Sequence, residues 1–323
     1  LLLEQPDDYK RVVILLQIAN DLMPEYSRPH YHMSLHLLRG EYTDEEGNLI
    51  TAPEPQAARK QLEAAIRIDS NHGPANLKLG QILCSDGDSR AARKHLRQAM
   101  KVASSAGHAC LELARLEVGS SREKEAKRLL DKAINQPQAR GAALLERADY
   151  FLRLEQPKGA EKDLQAAANT FDAEENALWE SSERASDSAN FPRARRLQED
   201  ALEARRAKGP VWFGLGQLRL AEGKTAEAIG FFEQALDADR SLCPARFALA
   251  TLLENTNREE EATTHLETLV QTDWSYAEAH FRLGERALAA KDLEKAEMHF
   301  LIVTDIVPDH KKAKSRLRKL TKK

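Results

Sequence analysis

The sequence predicts an all-α protein, a solenoid of antiparallel helix pairs, and three regular spacings indicate this. Eight alanines lie 34 residues apart, an apolar residue follows most of them after four places, and a small or apolar residue follows after seven. Spacings of four and seven place these residues on one helical face. Seven of the alanines are also preceded, twelve places earlier, by another small residue, from Gly80 to Gly284. A fixed period of this kind is expected when similar helix pairs stack at one close contact. The alanine ladder comprises Ala58, Ala92, Ala126, Ala160, Ala194, Ala228, Ala262 and Ala296.

Composition agrees with a long helical protein, because only 6% of the 323 residues are aromatic and 31% are charged. A chain of this length suggests two domains, but a solenoid extends its core with every added repeat. The longest apolar run, Val12–Ile18, is too short to span a membrane. Cys84, Cys110 and Cys243 show neither disulfide nor metal spacing. We therefore expect a cytoplasmic protein, with a periplasmic or membrane-associated location as the alternative.

The repeat register divides the chain into four segments. Residues 1–26 are interpreted as the C-terminal half of a truncated repeat, because Asp8–Met23 has the pattern of a second helix. Residues 27–72 form a repeat with an inserted loop at 41–55, which is either a tolerated surface loop or part of a binding face. Seven consecutive 34-residue repeats occupy residues 73–310, and residues 311–323 form a basic C-terminal capping helix.

Two repeats carry the motifs of a known family. Ala277–His310 contains Leu283–Gly284, Ala296 and Phe300 in the order typical of tetratricopeptide repeats, and Gly209–Leu242 is nearly as good a match. Glu175–Lys208 is the poorest repeat. The chain therefore resembles the tetratricopeptide repeat (TPR) family along most of its length. This resemblance implies a right-handed superhelical α-solenoid of about eight full repeats, a half repeat and a capping helix.

Family resemblance further implies that the first helices of successive repeats line a concave groove that binds a partner peptide or helix. The fifth place of each first helix holds Tyr31, Leu77, Leu111, Leu145, Trp179, Phe213, Phe247 and Phe281. Aromatic side chains are strong binding anchors, although these residues are equally expected to pack between helices. Charged residues stand at the sixth and ninth places; they are Glu112, Arg115, Glu146, Asp149, Glu180, Glu183 and Arg282. An acidic middle groove favours a basic or amphipathic partner segment, the alternative being an ordinary solvated face.

No sequence motif indicates catalysis. The chain has no phosphate-binding loop, nucleophile elbow or HExxH motif, so we expect neither enzymatic activity nor a cofactor. His32 and His36 lie one helical turn apart and are a weak metal-binding candidate, with surface or packing roles favoured.

Three functional hypotheses remain. The first is a non-catalytic scaffold that binds partner proteins, with self-association possible, as a fragment of a larger protein or assembly. The second is a regulatory or targeting arm of an enzyme whose catalytic domain is absent from this chain. The third is a nucleic-acid- or membrane-associated factor acting through the basic C-terminal helix, which has eight positive charges between Lys311 and Lys323. A solvated cap is the favoured interpretation of that helix, so we do not expect nucleic acid or a membrane as the partner.

Overall fold

A computed structural model describes residues 6–39, 54–120 and 122–320, and throughout these ranges the regular structure is helical. The chain divides into two compact units, unit 1 (Leu1–Gln156) and unit 2 (Pro157–Lys323). Each unit is an all-α stack of helices, which confirms the predicted fold class. Except for its last two residues, the predicted inserted loop 41–55 lies outside the described residues.

Unit 1 contains eight α-helices in its described part. Helices α2 and α3, α4 and α5, and α6 and α7 form packed pairs, while α1 packs against α2 and α8 against α7. A short 3-10 turn, Pro137–Ala139, precedes α8. The helices are α1 (Pro6–Leu22), α2 (Ser27–Arg39), α3 (Pro55–Ile68), α4 (Gly73–Ser85), α5 (Ser89–Ala99), α6 (Ala103–Gly119), α7 (Glu123–Ile134) and α8 (Arg140–Arg153).

Unit 2 contains eight further α-helices in its described part, two of which are more than twice as long as their neighbours. From α9 to α15, every helix of this unit packs against the helix that follows it in the chain. The helices are α9 (Pro157–Asp187), α10 (Phe191–Ala221), α11 (Thr225–Ala238), α12 (Cys243–Asn255), α13 (Glu259–Thr272), α14 (Ala277–Ala289), α15 (Leu293–Ile306) and α16 (Lys311–Leu320).

The alanine ladder is buried, and close packing between the two helices explains why a small residue stands twelve places before seven of its members. All eight alanines are at most 4% exposed. A Cβ added to Gly216 would lie 2.5 Å from the ring of Phe232, and one added to Gly284 would lie 2.8 Å from the ring of Phe300. The first helix therefore needs a small residue where the second helix inserts a large one.

Helices α9 and α10 differ from the predicted pattern, because each continues through the place where one repeat should end and the next begin. In three other repeats, an aspartate eleven places after the ladder alanine caps the end of the second helix; these residues are Asp69, Asp239 and Asp273. The carboxylate of Asp239 accepts hydrogen bonds from the backbone N–H and hydroxyl of Ser241, and Asp273 makes the same pair of bonds with Ser275. Phe171 and Arg205 occupy this place in α9 and α10. Helix α10 continues even through Pro210, which lies inside the helix.

The two long helices form an antiparallel hairpin. Ser182 donates from its hydroxyl to the Ala194 carbonyl near the tip, and a Cβ on Gly214 would approach Leu164 to 3.1 Å near the other end. Between these points, Lys208 Nζ lies 2.7 Å from both the Asp172 and Glu175 carboxylates.

We call residues 173–206 of this hairpin the arm. Within the arm, the buried side chains are small and lie on the face that the two helices share. These buried residues are Ser182, Ala185, Ala194, Ala201 and Ala204.

Candidate partner-binding surface

The fifth-place side chains differ in exposure. Leu111 is buried, whereas Tyr31, Leu77, Leu145, Phe213, Phe247 and Phe281 are half-buried. Trp179 is the exception, because 37% of it is exposed on the arm. The two interpretations of these residues, groove anchor and packing residue, therefore do not apply equally to all of them.

Most fifth-place aromatics pack against a neighbouring ring. Ring centroids lie 5.6 Å apart for Phe213 and Phe232, and 5.8 Å apart for Phe281 and Phe300. The Arg282 guanidinium lies 4.6 Å from the ring centroid of Phe247. Rings at these separations stabilise the contact between helices. Truncating one of them to alanine therefore removes a packing contact as well as a surface available to a partner.

Polar contacts 31 residues apart join the first helices of successive repeats, from the ninth place of one to the sixth place of the next. In unit 1, Gln81 donates to Glu112 at 2.9 Å, and Arg115 lies 2.6 Å from Glu146. In unit 2, Arg282 donates to the Thr251 hydroxyl at 2.9 Å. These contacts were not predicted from the sequence, although complementary residue types at the two places indicate them. Glu112, Glu146 and Arg282 thus have partners within the fold.

Three acidic residues of the predicted groove lack such a contact. Glu180 and Glu183 are exposed on the arm beside Trp179, and within the described residues neither side chain makes an ion pair. Asp149 belongs to unit 1; desolvation by surrounding protein, together with the charge of Glu146, raises the pKa of its carboxyl. Trp179, Glu180 and Glu183 form one surface of the arm, which we call the arm surface.

The histidines make packing contacts. His30 Nδ1 lies 2.7 Å from Gln61 Oε1, and the ring of His32 contacts that of Tyr31. In the described part of the chain, no group of three or more His, Cys, Asp or Glu side chains is arranged to hold a metal ion. His32 and His36 therefore have no third ligand there.

A second histidine pair lies in unit 2. The Nδ1 atoms of His280 and His299 are 3.0 Å apart, and His280 Nε2 lies 3.0 Å from the Trp274 carbonyl oxygen. Because Nε2–H donates to the carbonyl, Nδ1 of a neutral His280 accepts from His299. Burial lowers the pKa of both rings, and for His299 the neighbouring His280 lowers it further. Both shifts favour the neutral form of the pair.

Two family models, both described as tetratricopeptide repeat, match residues 182–242 and 219–273. The chain is a tetratricopeptide repeat protein. TPR repeats generally mediate protein–protein interactions, and the TPR scaffold is generally non-catalytic. No curated protein matches this TPR chain.

Solved structures share this TPR fold at low sequence identity. PilF of Pseudomonas aeruginosa has a TM-score of 0.55 at 17% identity, over 78% of this chain and 97% of its own. Human IFIT1, solved as a dimer with m7Gppp-AAAA, has a TM-score of 0.58 at 14% identity, over 98% of this chain and 67% of its own. Likeness at this level of identity shows the fold alone. In the described part of the TPR chain, no helix combines the length and apolarity needed to cross a membrane.

Proposed function

We propose that this protein is a non-catalytic scaffold that binds a basic segment of a partner protein at the arm surface. The observation that carries this proposal is the exposure of Trp179, in contrast to the half-buried or buried side chains at the other fifth places. An exposed tryptophan offers a large contact area with few rotatable bonds, which makes it a suitable binding anchor.

Charge favours a basic partner. Glu180 and Glu183 stand next to Trp179 with their carboxylates unpaired in the described structure, so a lysine or arginine beside the indole gains both an ion pair and a cation–π contact. In unit 1, by contrast, Glu112 and Glu146 both pair with Arg115, which offsets part of their charge.

A pair of tryptophan variants tests the proposal. Trp179→Ala should weaken binding of a lysine- and arginine-rich peptide, selected from an immobilised peptide library, by roughly tenfold or more, the effect typical of an interface anchor. Trp274→Ala is the matched control, because Trp274 is 64% exposed but lies in the turn before α14, away from the arm. Binding is measured by fluorescence anisotropy of the labelled peptide, and folding by circular dichroism.

Three results would contradict the proposal. If both tryptophan variants bind the peptide as tightly as the unchanged protein, the arm surface is not the site. If Glu180→Lys with Glu183→Lys tightens binding of the basic peptide, the charge argument is wrong. A selection that yields only acidic peptides would also reject a basic partner.

A further inference from the structure

The second helix of each repeat presents one stripe of residues to solvent. This outer stripe consists of the residues two places before a ladder alanine and two, five and nine places after it. Successive spacings of four, three and four keep these residues on one helical face. In the repeats that contain α3, α5, α7, α11, α13 and α15, all outer-stripe residues are exposed except the half-buried Asp131 and Gly230.

In unit 1 the outer stripe is basic. Its twelve places, following Ala58, Ala92 and Ala126, contain eight basic residues and two acidic ones. The acidic residues are already neutralised, since Glu63 pairs with Arg59 and Asp131 pairs with Lys127 and Arg147. The basic residues are Lys60, Arg67, Arg90, Lys94, Arg97, Lys101, Lys124 and Arg128.

In the last three repeats of unit 2 the same places carry the opposite charge, whereas those on α9 and α10 include Lys158, Lys162 and Arg196. The twelve outer-stripe places following Ala228, Ala262 and Ala296 contain six acidic residues and no basic one. The acidic residues are Glu233, Asp237, Glu260, Glu267, Glu294 and Asp305.

Most of these charges have no partner. Among the described residues, none of the six carboxylates makes an ion pair, and of the eight cations only Arg128 does, with Glu125. Like charges on neighbouring helices repel one another. Two stripes of unpaired charge, equal in spacing and opposite in sign, therefore stand on one chain.

We propose that the basic outer stripe of unit 1 docks on the acidic outer stripe of unit 2 in a second copy of the protein. Both stripes repeat at the same 34-residue interval, so a row of cations meets a row of carboxylates with matching spacing. A two-fold dimer would satisfy both pairs of stripes at once, whereas a head-to-tail arrangement would add further copies unless the rotation closes a ring. This inference concerns the second helices and is independent of the arm surface.

The composition of the basic stripe favours a protein partner over a nucleic acid. Single-stranded nucleic acids are usually held by aromatic side chains that stack on bases, and none of the twelve unit 1 places is aromatic. The acidic stripe, by contrast, supplies a complementary surface on every copy of the chain.

Charge reversal with a mixing experiment tests the contact. One variant carries Arg90→Glu, Lys94→Glu and Arg97→Glu, and the other carries Glu233→Lys, Glu260→Lys and Glu267→Lys. Sedimentation velocity should show that the unchanged protein self-associates at low salt, with an association constant at least about tenfold lower in 0.5 M salt because the charges are then screened. Each variant alone should remain monomeric, whereas an equimolar mixture should associate because complementary stripes are restored.

A third variant provides the control for net charge. Lys311→Glu, Lys312→Glu and Lys319→Glu change the net charge as much as the basic-stripe variant does, but lie on α16, so this protein should associate normally. The proposal is overturned if the unchanged protein is monomeric at low salt, if the two stripe variants fail to associate on mixing, or if the α16 variant loses association equally. A different outcome is that the unchanged protein is monomeric and binds a single-stranded oligouridine probe. If only the basic-stripe variant then loses this binding, the basic stripe is a nucleic-acid-binding surface.

Discussion

Replacing Gly216 by alanine should destabilise the protein, although alanine is the better helix former. The new Cβ would lie 2.5 Å from Phe232 Cε1 and 2.6 Å from Cδ1, whereas carbon atoms normally approach to about 3.5–4.0 Å. The ring must therefore move by about 1 Å, yet Phe232 is fully buried between helices. Overpacking of this kind costs about 1–3 kcal/mol, against a gain in helix propensity of about 1 kcal/mol.

Gly230→Ala is the matched control for this substitution. Gly230 also lies in a helix of unit 2, but an added Cβ would meet nothing within 4 Å, so alanine should stabilise the protein by about 0.5–1 kcal/mol. Since the propensity gain is common to both variants, the difference between them isolates the steric cost, about 1–3 kcal/mol. Urea unfolding followed by circular dichroism measures this difference as a shift in the same transition.

A double variant completes the test. Gly216→Ala with Phe232→Leu recreates the alanine–leucine combination found at Ala114 with Leu130 and at Ala250 with Leu266. It should lose less stability than the sum of the two single variants, because leucine leaves room for the new methyl group. If Gly216→Ala and Gly230→Ala stabilise the protein equally, close contact at Gly216 is refuted.

Two further predictions concern buried titratable groups. Because burial lowers the pKa of His280 and His299 below the unfolded value of about 6.5, their stabilising effect is present above that pH and lost as the pH falls toward the folded pKa. The urea concentration at the unfolding midpoint should therefore fall as the pH is lowered, and it should fall less steeply in the His299→Gln variant. If the midpoint depends on pH equally in both proteins, the histidine pair does not contribute. Lys208→Met leaves two carboxylates unpaired at the base of the arm and should speed hydrogen exchange of residues 173–206, unlike Lys224→Met at an exposed pair. Equal exchange in the two lysine variants would contradict a role for Lys208.

The helix pairs and their buried faces could be predicted from the sequence because the same pattern of residues recurs along the chain. The ladder alanines and their companion small residues are a steric requirement that recurs in every repeat, so each buried position supports the others. The 34-residue period is therefore sufficient to predict which residues of the helix pairs are buried.

Irregular features were harder to predict because they depart from the repeat pattern at single places. Gly209–Pro210 has the composition of a helix start, as at Gly73–Pro74, yet α10 continues through it. Polar contacts between first helices were missed for a similar reason. Arg115 and Glu146 lie 31 residues apart, so their pairing is visible only when two repeats are compared place by place.

Fusion of helices across repeat boundaries changes how unit 2 should unfold. An array of separate helix pairs can lose its terminal repeats one at a time, because each repeat contacts only its neighbours. Helices α9 and α10 each serve two repeats, so fraying that reaches either helix must disrupt both repeats together. The hairpin therefore acts as a cooperative block within a modular chain, and unfolding intermediates should preserve or lose residues 157–221 as a whole.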